Sequence, residues 1–432
     1  MKFEVLKKSR LKRNIIIGIV IVAIISAVIL NFTKAKYRTT QSIPLVNGTI
    51  NYSLADLNII GLYINGEEAT ELDSSKKYTL DTTQSTCTYK DGTEIPDLSI
   101  SYDSETGELQ ISPFTTKGTK CTLYFDEYMP SASETILAGK NLATRTDFSV
   151  TVTEDTTGTI YYEDTSKGRT YYFAGNPSDN WVRFGGFYWR IIRINEDGSL
   201  RLIYQGTSTN ETGTGTQIGT SAFNSSHNNN AYVGLKYTTN NVHGTGTNST
   251  ILTALNSWYT SNLSSYAEDL DGNAGFCGDR TPSTSSSSSN GSGGTETTYT
   301  YYGAYIRLVT NKQPTFECEN DSDLYTTSGS SDGNRALTYP IGLISVDEMA
   351  YAGGVQGTSN QGYYLYTNQE YWTTSPSGYL SWALVFAVDP NGRIDYGAGV
   401  DYTYGVRPVI NLKADTQFSE GNGIASNPFV VS

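Results

Sequence analysis

The sequence predicts an α+β chain with an N-terminal transmembrane helix, a small β domain and a larger α+β domain carrying long polar loops. Three observations lead there. An uncharged apolar run, Ile15 to Leu30, lies between basic clusters at the N-terminus. Four cysteines fall in two local groups, Cys87 with Cys121 and Cys277 with Cys318. Short alternating apolar stretches bounded by turn residues dominate, and a few capped helical stretches join them in the second half.

Lys2, Lys7, Lys8, Arg10, Lys12 and Arg13 precede the apolar run, and Lys34, Lys36 and Arg38 follow it. The run is close to the lower limit for a hydrocarbon core of about 30 Å at about 1.5 Å per residue. The excess of basic residues before it puts the N-terminus inside. Residues 1–38 therefore read as a cytoplasmic basic segment and signal anchor in a single-pass cell-membrane protein whose C-terminal bulk is extracellular. A cleaved signal peptide is the competing reading, with Thr33-Lys34-Ala35 as a poor cleavage match.

Net charge is −13, which argues against nucleic acid, whose binders need a basic stripe. Tyrosine (33) far outnumbers phenylalanine (14), so the aromatic area carries polar tips suited to a recognition surface. An exterior compartment permits disulfides, and four cysteines allow three pairings. Pairing within each group is the economical choice, and a loop of about 35 residues would contribute roughly 3–4 kcal/mol. No Cys-x-x-Cys is present and histidine is confined to His227 and His243, so neither a metal site nor a cofactor is expected.

Residues 42–128 read as a small β-rich stalk domain. Its strand signals are Gly61–Asn65, Leu98–Tyr102, Glu108–Ser112 and Cys121–Phe125, with a hairpin turn at Thr106-Gly107. Residues 129–157 read as a short helix and linker. Ser131 and Glu134 form a capping box, and Gly139 is a stop. Residues 158–432 form the larger domain. Phe187–Ile194 and Leu200–Tyr204 flank Asp197-Gly198 as a hairpin. Ser249 to Tyr266 puts Ile251, Leu255, Trp258 and Tyr259 on one helical face. Ser345 opens a short helix with Glu348 as its box partner. A last hairpin sets Trp382, Leu384, Phe386 and Val388 on one face, turns at Asn391-Gly392 and returns through Ile394 and Tyr396. Thr207–Asn248 and Ser283–Thr298 are low in complexity and read as long surface loops.

Chemical motifs are few. The two histidines lie in a polar loop region and are weak candidates for a catalytic base. Asp269, Asp271 and Asn273 alternate like a calcium loop, but Ala274 stands where the turn glycine belongs and Arg280 where the bidentate glutamate belongs. No phosphate-cradling glycine motif occurs.

The segments Tyr371-Trp-Thr-Thr-Ser-Pro376 and Gly405-Val-Arg-Pro-Val-Ile-Asn-Leu412 carry a recognisable pattern, supported by Asn256-Ser-Trp-Tyr259 and Ile341–Glu348. Together they resemble an uncharacterised domain family of bacterial surface proteins related to the C-type-lectin-like fold. The same ending is similar to variable proteins diversified by retroelements and, more distantly, to formylglycine-generating enzymes. The resemblance covers about Trp181 to Leu412. It implies a C-type-lectin-like α+β domain in which Trp372 and Trp382 are core or half-core aromatics and Arg407 is a structural, paired arginine. It also places the ligand surface on the stretches before the Val-Arg-Pro strand. There the candidate ligand-binding residues are Tyr379, Trp382, Asp395, Tyr396, Asp401, Tyr402 and Tyr404. The sequence lacks the Glu-Pro-Asn, Gln-Pro-Asp and Trp-Asn-Asp signatures of calcium-dependent lectins. It also lacks the late cysteine pair of formylglycine-generating enzymes.

The expected function is adhesin-like, non-covalent binding of a glycan or protein outside the cell, with no enzymatic step. A glycan hydrolase using a carboxylate pair and a purely structural envelope protein are the alternatives.

Overall fold

The computed structural model describes residues 57–432 apart from Ser75, Glu105, 114–117, 284–299 and Leu380. The chain divides into two units, Met1–Met129 and Pro130–Ser432.

In the first unit the long strand Thr119–Glu127 organises a five-stranded sheet. Leu57–Ile64 runs parallel to it, while Tyr78–Leu80 and Thr86–Tyr89 run antiparallel. Its side chains alternate strictly, with Cys121, Leu123 and Phe125 buried and Lys120, Thr122 and Tyr124 half-buried, as a sheet with one covered face requires. A separate hairpin, Ser99–Asp103 with Glu108–Ser112, contributes Leu109 and Ile111 to the same core. Gly107 has φ 70°, a left-handed conformation that a side chain would resist. Cys87 and Cys121 lie directly opposite each other on paired strands and are joined by a disulfide. The second disulfide, Cys277–Cys318, belongs to the second unit.

The second unit is built on a ten-stranded and a six-stranded sheet. The larger sheet centres on the antiparallel pair Phe187–Ile194 and Leu200–Gly206, and Val409–Leu412 lies between Leu200–Gly206 and the short strand Ile341–Gly342. Gly198, at φ 88°, makes the connecting turn. The smaller sheet centres on Tyr371–Tyr379, Ala383–Val388 and Ile394–Gly399. Trp189, Ile191 and Leu202 from the first sheet and Trp372, Val385 and Phe386 from the second belong to one buried cluster. The helix Thr250–Asn262 adds Ile251, Leu252, Leu255 and Tyr259, and Ser249 caps it through Leu252 N–H.

The α+β expectation is corrected. Among the described residues strands hold 38% and helices 15%, so the fold is mostly β-sheet, in several sheets. Among the described residues no helix is long and apolar enough to cross a membrane. The run Ile15–Leu30 lies outside the described residues.

Four local expectations also change. Residues 130–157 are integrated in the second unit and do not act as a linker. Arg145 donates to the carbonyls of Ala350 (3.1 Å) and Tyr351 (2.7 Å), and Val152 N–H donates to Gly353. The helix from Ser249 stops at Asn262, and tighter 3-10 turns, Ser264–Asp269, take over. The stretch 207–248 does not stay on the surface, because Phe223, Val233 and Leu235 anchor it in the core. Trp382 is 44% exposed, outside the core. Ser381 adopts φ 59° just before it, and this left-handed residue turns the chain outward ahead of the strand. The low-complexity run 284–299 lies outside the described residues.

Arg407 is fully buried and meets carbonyls rather than a carboxylate. It donates to Tyr204 O, Leu365 O (3.1 Å) and Gln205 Oε1 (2.8 Å), and its guanidinium lies 4.8 Å from the Tyr371 ring centre. Burial pulls its pKa below the usual arginine value, with Tyr371 opposing. The expected cost of Arg407→Met is about 3–5 kcal/mol, because those acceptors lose their donor in the core. Urea denaturation of the variant against the wild type measures it.

Candidate functional site

The hairpin Ala383–Val388/Ile394–Gly399 brings the residues before and after it side by side, since Leu384 pairs with Gly399. Trp382 Nε1 donates to Asp401 Oδ1 at 3.2 Å. The other carboxylate oxygen is 2.8 Å from His227 Nδ1. The His227 ring stacks on the Trp382 indole, with centroids 4.3 Å apart and planes at 29°. Three side chains thus fix one another. Gly399 leaves room for the arrangement: a Cβ there would sit 3.1 Å from Asp401 Oδ1 and 3.2 Å from Trp382 Nε1. Ala383 N–H donates to the His227 carbonyl at 2.8 Å, which ties the loop to the strand. Partial burial works against the Asp401 carboxylate, but the hydrogen bonds from His227 and Trp382 hold its pKa below the usual value.

Tyr402 is 47% exposed beside this group, and its ring is 6.1 Å from that of Tyr404. Tyr404 in turn leans on the buried Trp372 at 4.8 Å. The sequence-predicted residues therefore separate by role. Trp382, Asp401 and Tyr402 come together, with Tyr404 at their inner edge. Tyr396 is exposed but packs edge-on to Tyr305 (5.2 Å), which stacks on Tyr301 (3.9 Å), in a separate aromatic row. Tyr379 is only 7% exposed, and its hydroxyl donates to the Asn228 carbonyl at 3.2 Å. It supports the His227 loop from inside. Asp395 accepts Gly397 N–H at 3.0 Å and shapes its own turn. His227, which the sequence offers only as a weak candidate base, is absent from the predicted ligand-binding set. It lies 174 positions from Asp401, and its rarity in the chain was the only signal.

A cavity of about 360 Å³ opens elsewhere in the second unit. Its walls include the helix Val346–Tyr351, the turn after Phe187–Ile194 and the disulfide Cys277–Cys318. Arg307, on a π-helical turn Ile306–Asn311, grips Asp347 with two bonds (3.1 and 2.8 Å) and reaches Asp279 at 2.6 Å. Such turns recur at functional sites. Asp279 itself has φ 42°, a conformation unusual for a residue with a side chain. Burial pushes its carboxyl up to about 6 despite Arg307. Glu348 lies deeper, between Arg201 (2.5 Å) and Arg193 (3.1 Å). Only the capping-box role of Glu348 was visible in the sequence. Asp271 accepts from Asn273 N–H and Ala274 N–H, so the calcium-like stretch closes on its own turn. Among the described residues no group of three or more His, Cys, Asp or Glu side chains is placed to hold a metal ion.

Because the folded-state pKa of Asp279 is raised, its stabilising contribution is present below the unfolded carboxyl value and is lost as pH rises through about 6. Arg307, Asp347 and Asp323 are the charges facing it. The stability difference between wild type and Asp279→Asn should therefore fall by roughly 2–3 kcal/mol between about pH 4 and pH 6.5. Chemical denaturation across that range checks it, and a flat difference would show that folding leaves the Asp279 carboxyl unshifted.

The two disulfides are those of a chain consistent with an extracellular setting. Compared with protein-family models, curated proteins and solved structures, the chain matches none.

Proposed function

We propose that this protein is an extracytoplasmic recognition module that binds a glycan non-covalently on the face formed by Trp382, His227, Asp401 and Tyr402. The observation that carries the reading is an exposed indole held in place from two sides, by the Asp401 hydrogen bond and the His227 stack. An aromatic ring that is already fixed loses little rotamer entropy on binding. Its flat apolar face matches the C–H face of a sugar ring. The Asp401 carboxylate retains lone pairs beyond those His227 and Trp382 occupy, and these can accept sugar hydroxyls. Tyr402 adds apolar area with a polar tip, the property that makes tyrosine frequent in binding surfaces.

The net charge of −13 favours a neutral or cationic glycan over an acidic one. The resemblance of Tyr371–Pro376 and Gly405–Leu412 to bacterial surface-protein domains supports the same location for the ligand.

The test is a panel of neutral, amino and acidic glycans applied to the purified protein by calorimetry. Trp382→Ala should weaken binding of the best neutral glycan about tenfold or more, as expected for loss of a central aromatic anchor. The same variant should unfold within about 1 kcal/mol of wild type, since the ring is exposed. Wild-type silence across the panel, or unchanged affinity in the variant, would sink the reading.

A further inference from the structure

The cavity beside the Val346–Tyr351 helix presents an arginine and a glutamate with binding capacity that the fold does not use. Arg193 points its ε-nitrogen at Glu348 Oε1 (3.1 Å), and its guanidinium lies 5.0 Å from the Phe316 ring centre. Those two contacts fix the plane of the group. Its side chain is 12% exposed, yet its two terminal nitrogens make no hydrogen bond among the described residues. The next carboxylate oxygen, Glu196 Oε2, stands 4.0 Å from one of them, too far for a hydrogen bond. Glu196 spends its other oxygen on the Thr165 hydroxyl at 3.2 Å. With its ε-nitrogen committed to Glu348 and its terminal nitrogens facing the cavity without a protein hydrogen bond, the guanidinium has the geometry to bind a carboxylate by two parallel bonds.

From this we propose that the cavity binds an α-amino acid with a basic side chain, its carboxylate on the terminal nitrogens of Arg193 and its α-ammonium on Glu196. The neighbouring opposite charges of an α-amino acid would replace the loose 4.0 Å contact by two charge-assisted bonds. The other interior charges do not compete. Arg307 is committed to Asp347 and Asp279, and Arg201 to Glu348. The side-chain preference comes from the outer lining. Asp197, Glu317, Asp321 and Asp332 are exposed there against the single cation Lys167, which itself lies 3.6 Å from Asp332. An acidic mouth of this kind raises the local concentration of cations. The volume, about 360 Å³, falls within the usual range for small-molecule sites, about 300–1,000 Å³.

The experiment is calorimetric titration of the purified protein with L-arginine and L-lysine. Agmatine, which lacks the carboxylate, and L-norleucine, which lacks the side-chain cation, serve as comparison ligands. Saturable binding of L-arginine or L-lysine is expected, with agmatine and L-norleucine each weaker by about tenfold or more. Arg193→Gln should abolish the binding, but it also removes a partner of Glu348 and so bears on folding. Glu196→Gln is the cleaner variant, because it touches only the Thr165 hydroxyl and the 4.0 Å contact. It should weaken binding about tenfold while the unfolding midpoint stays within a few degrees of wild type. No saturable binding of either amino acid, agmatine binding as tightly as L-arginine, or an unchanged affinity in Glu196→Gln would each overturn the proposal.

Discussion

The buried carboxylate of Glu348 is the interaction on which the second unit depends. It sits at the third position of a short helix and accepts the Ser345 N–H at 2.9 Å, closing the capping box. The same group accepts from Arg193 and Arg201, one on each strand of the central hairpin of the larger sheet. Burial alone would raise its pKa. Arg201, Arg193 and the Ser345 N–H outweigh burial and hold it below the usual value. One side chain thus joins a helix start to two strands in a region where an unpaired charge would be expensive. The capping box keeps the helix start in register, and the arginines orient the cavity that lies beside it.

The aromatic face is stabilised by a different kind of constraint. Trp382 and Asp401 flank one hairpin while His227 comes from a distant loop, and each limits the others through one directed contact. Tyr379 and Gly399 set the geometry without facing a ligand: the first holds the His227 loop, the second leaves the space in which Trp382 and Asp401 meet. Most of the ordering entropy of these side chains is therefore spent in folding, before any ligand arrives. The cavity differs in character. Its charges are mostly paired within the protein, and the unused capacity is confined to the outer edge of Arg193 and one oxygen of Glu196.

The two sites also differ in how much could be read from the sequence. Trp382, Asp401 and Tyr402 were within reach because they flank a hairpin whose turn, Asn391-Gly392, is a local signal. Tyr379 and Asp395 looked equivalent to them along the chain. Side-chain direction separated them, one facing inward to Asn228 and the other folded onto its own turn. The cavity left almost no trace, because Arg193, Arg201, Arg307 and Asp279 come from segments whose encounter no local pattern encodes. Polar composition misled at 207–248: a few apolar residues, Phe223, Val233 and Leu235, were enough to draw the stretch into the core. The α+β expectation failed in a related way. Short helices announce themselves by caps, whereas many two- and three-residue strands exist only through their partners.

By itself the sequence determined what is local. The alternation of Thr119–Glu127, the hairpin through Asp197-Gly198 and the capping boxes at Ser131 and Ser345 each depend on neighbours a few residues away. Tertiary structure alone decided that His227 meets Asp401, that Trp382 faces outward, and that two arginines share Glu348. The physical reason is that turns, caps and pleat periodicity are short-range properties of the backbone. Long-range sheet pairing and the desolvation of charges depend on which distant segments come to share one interior.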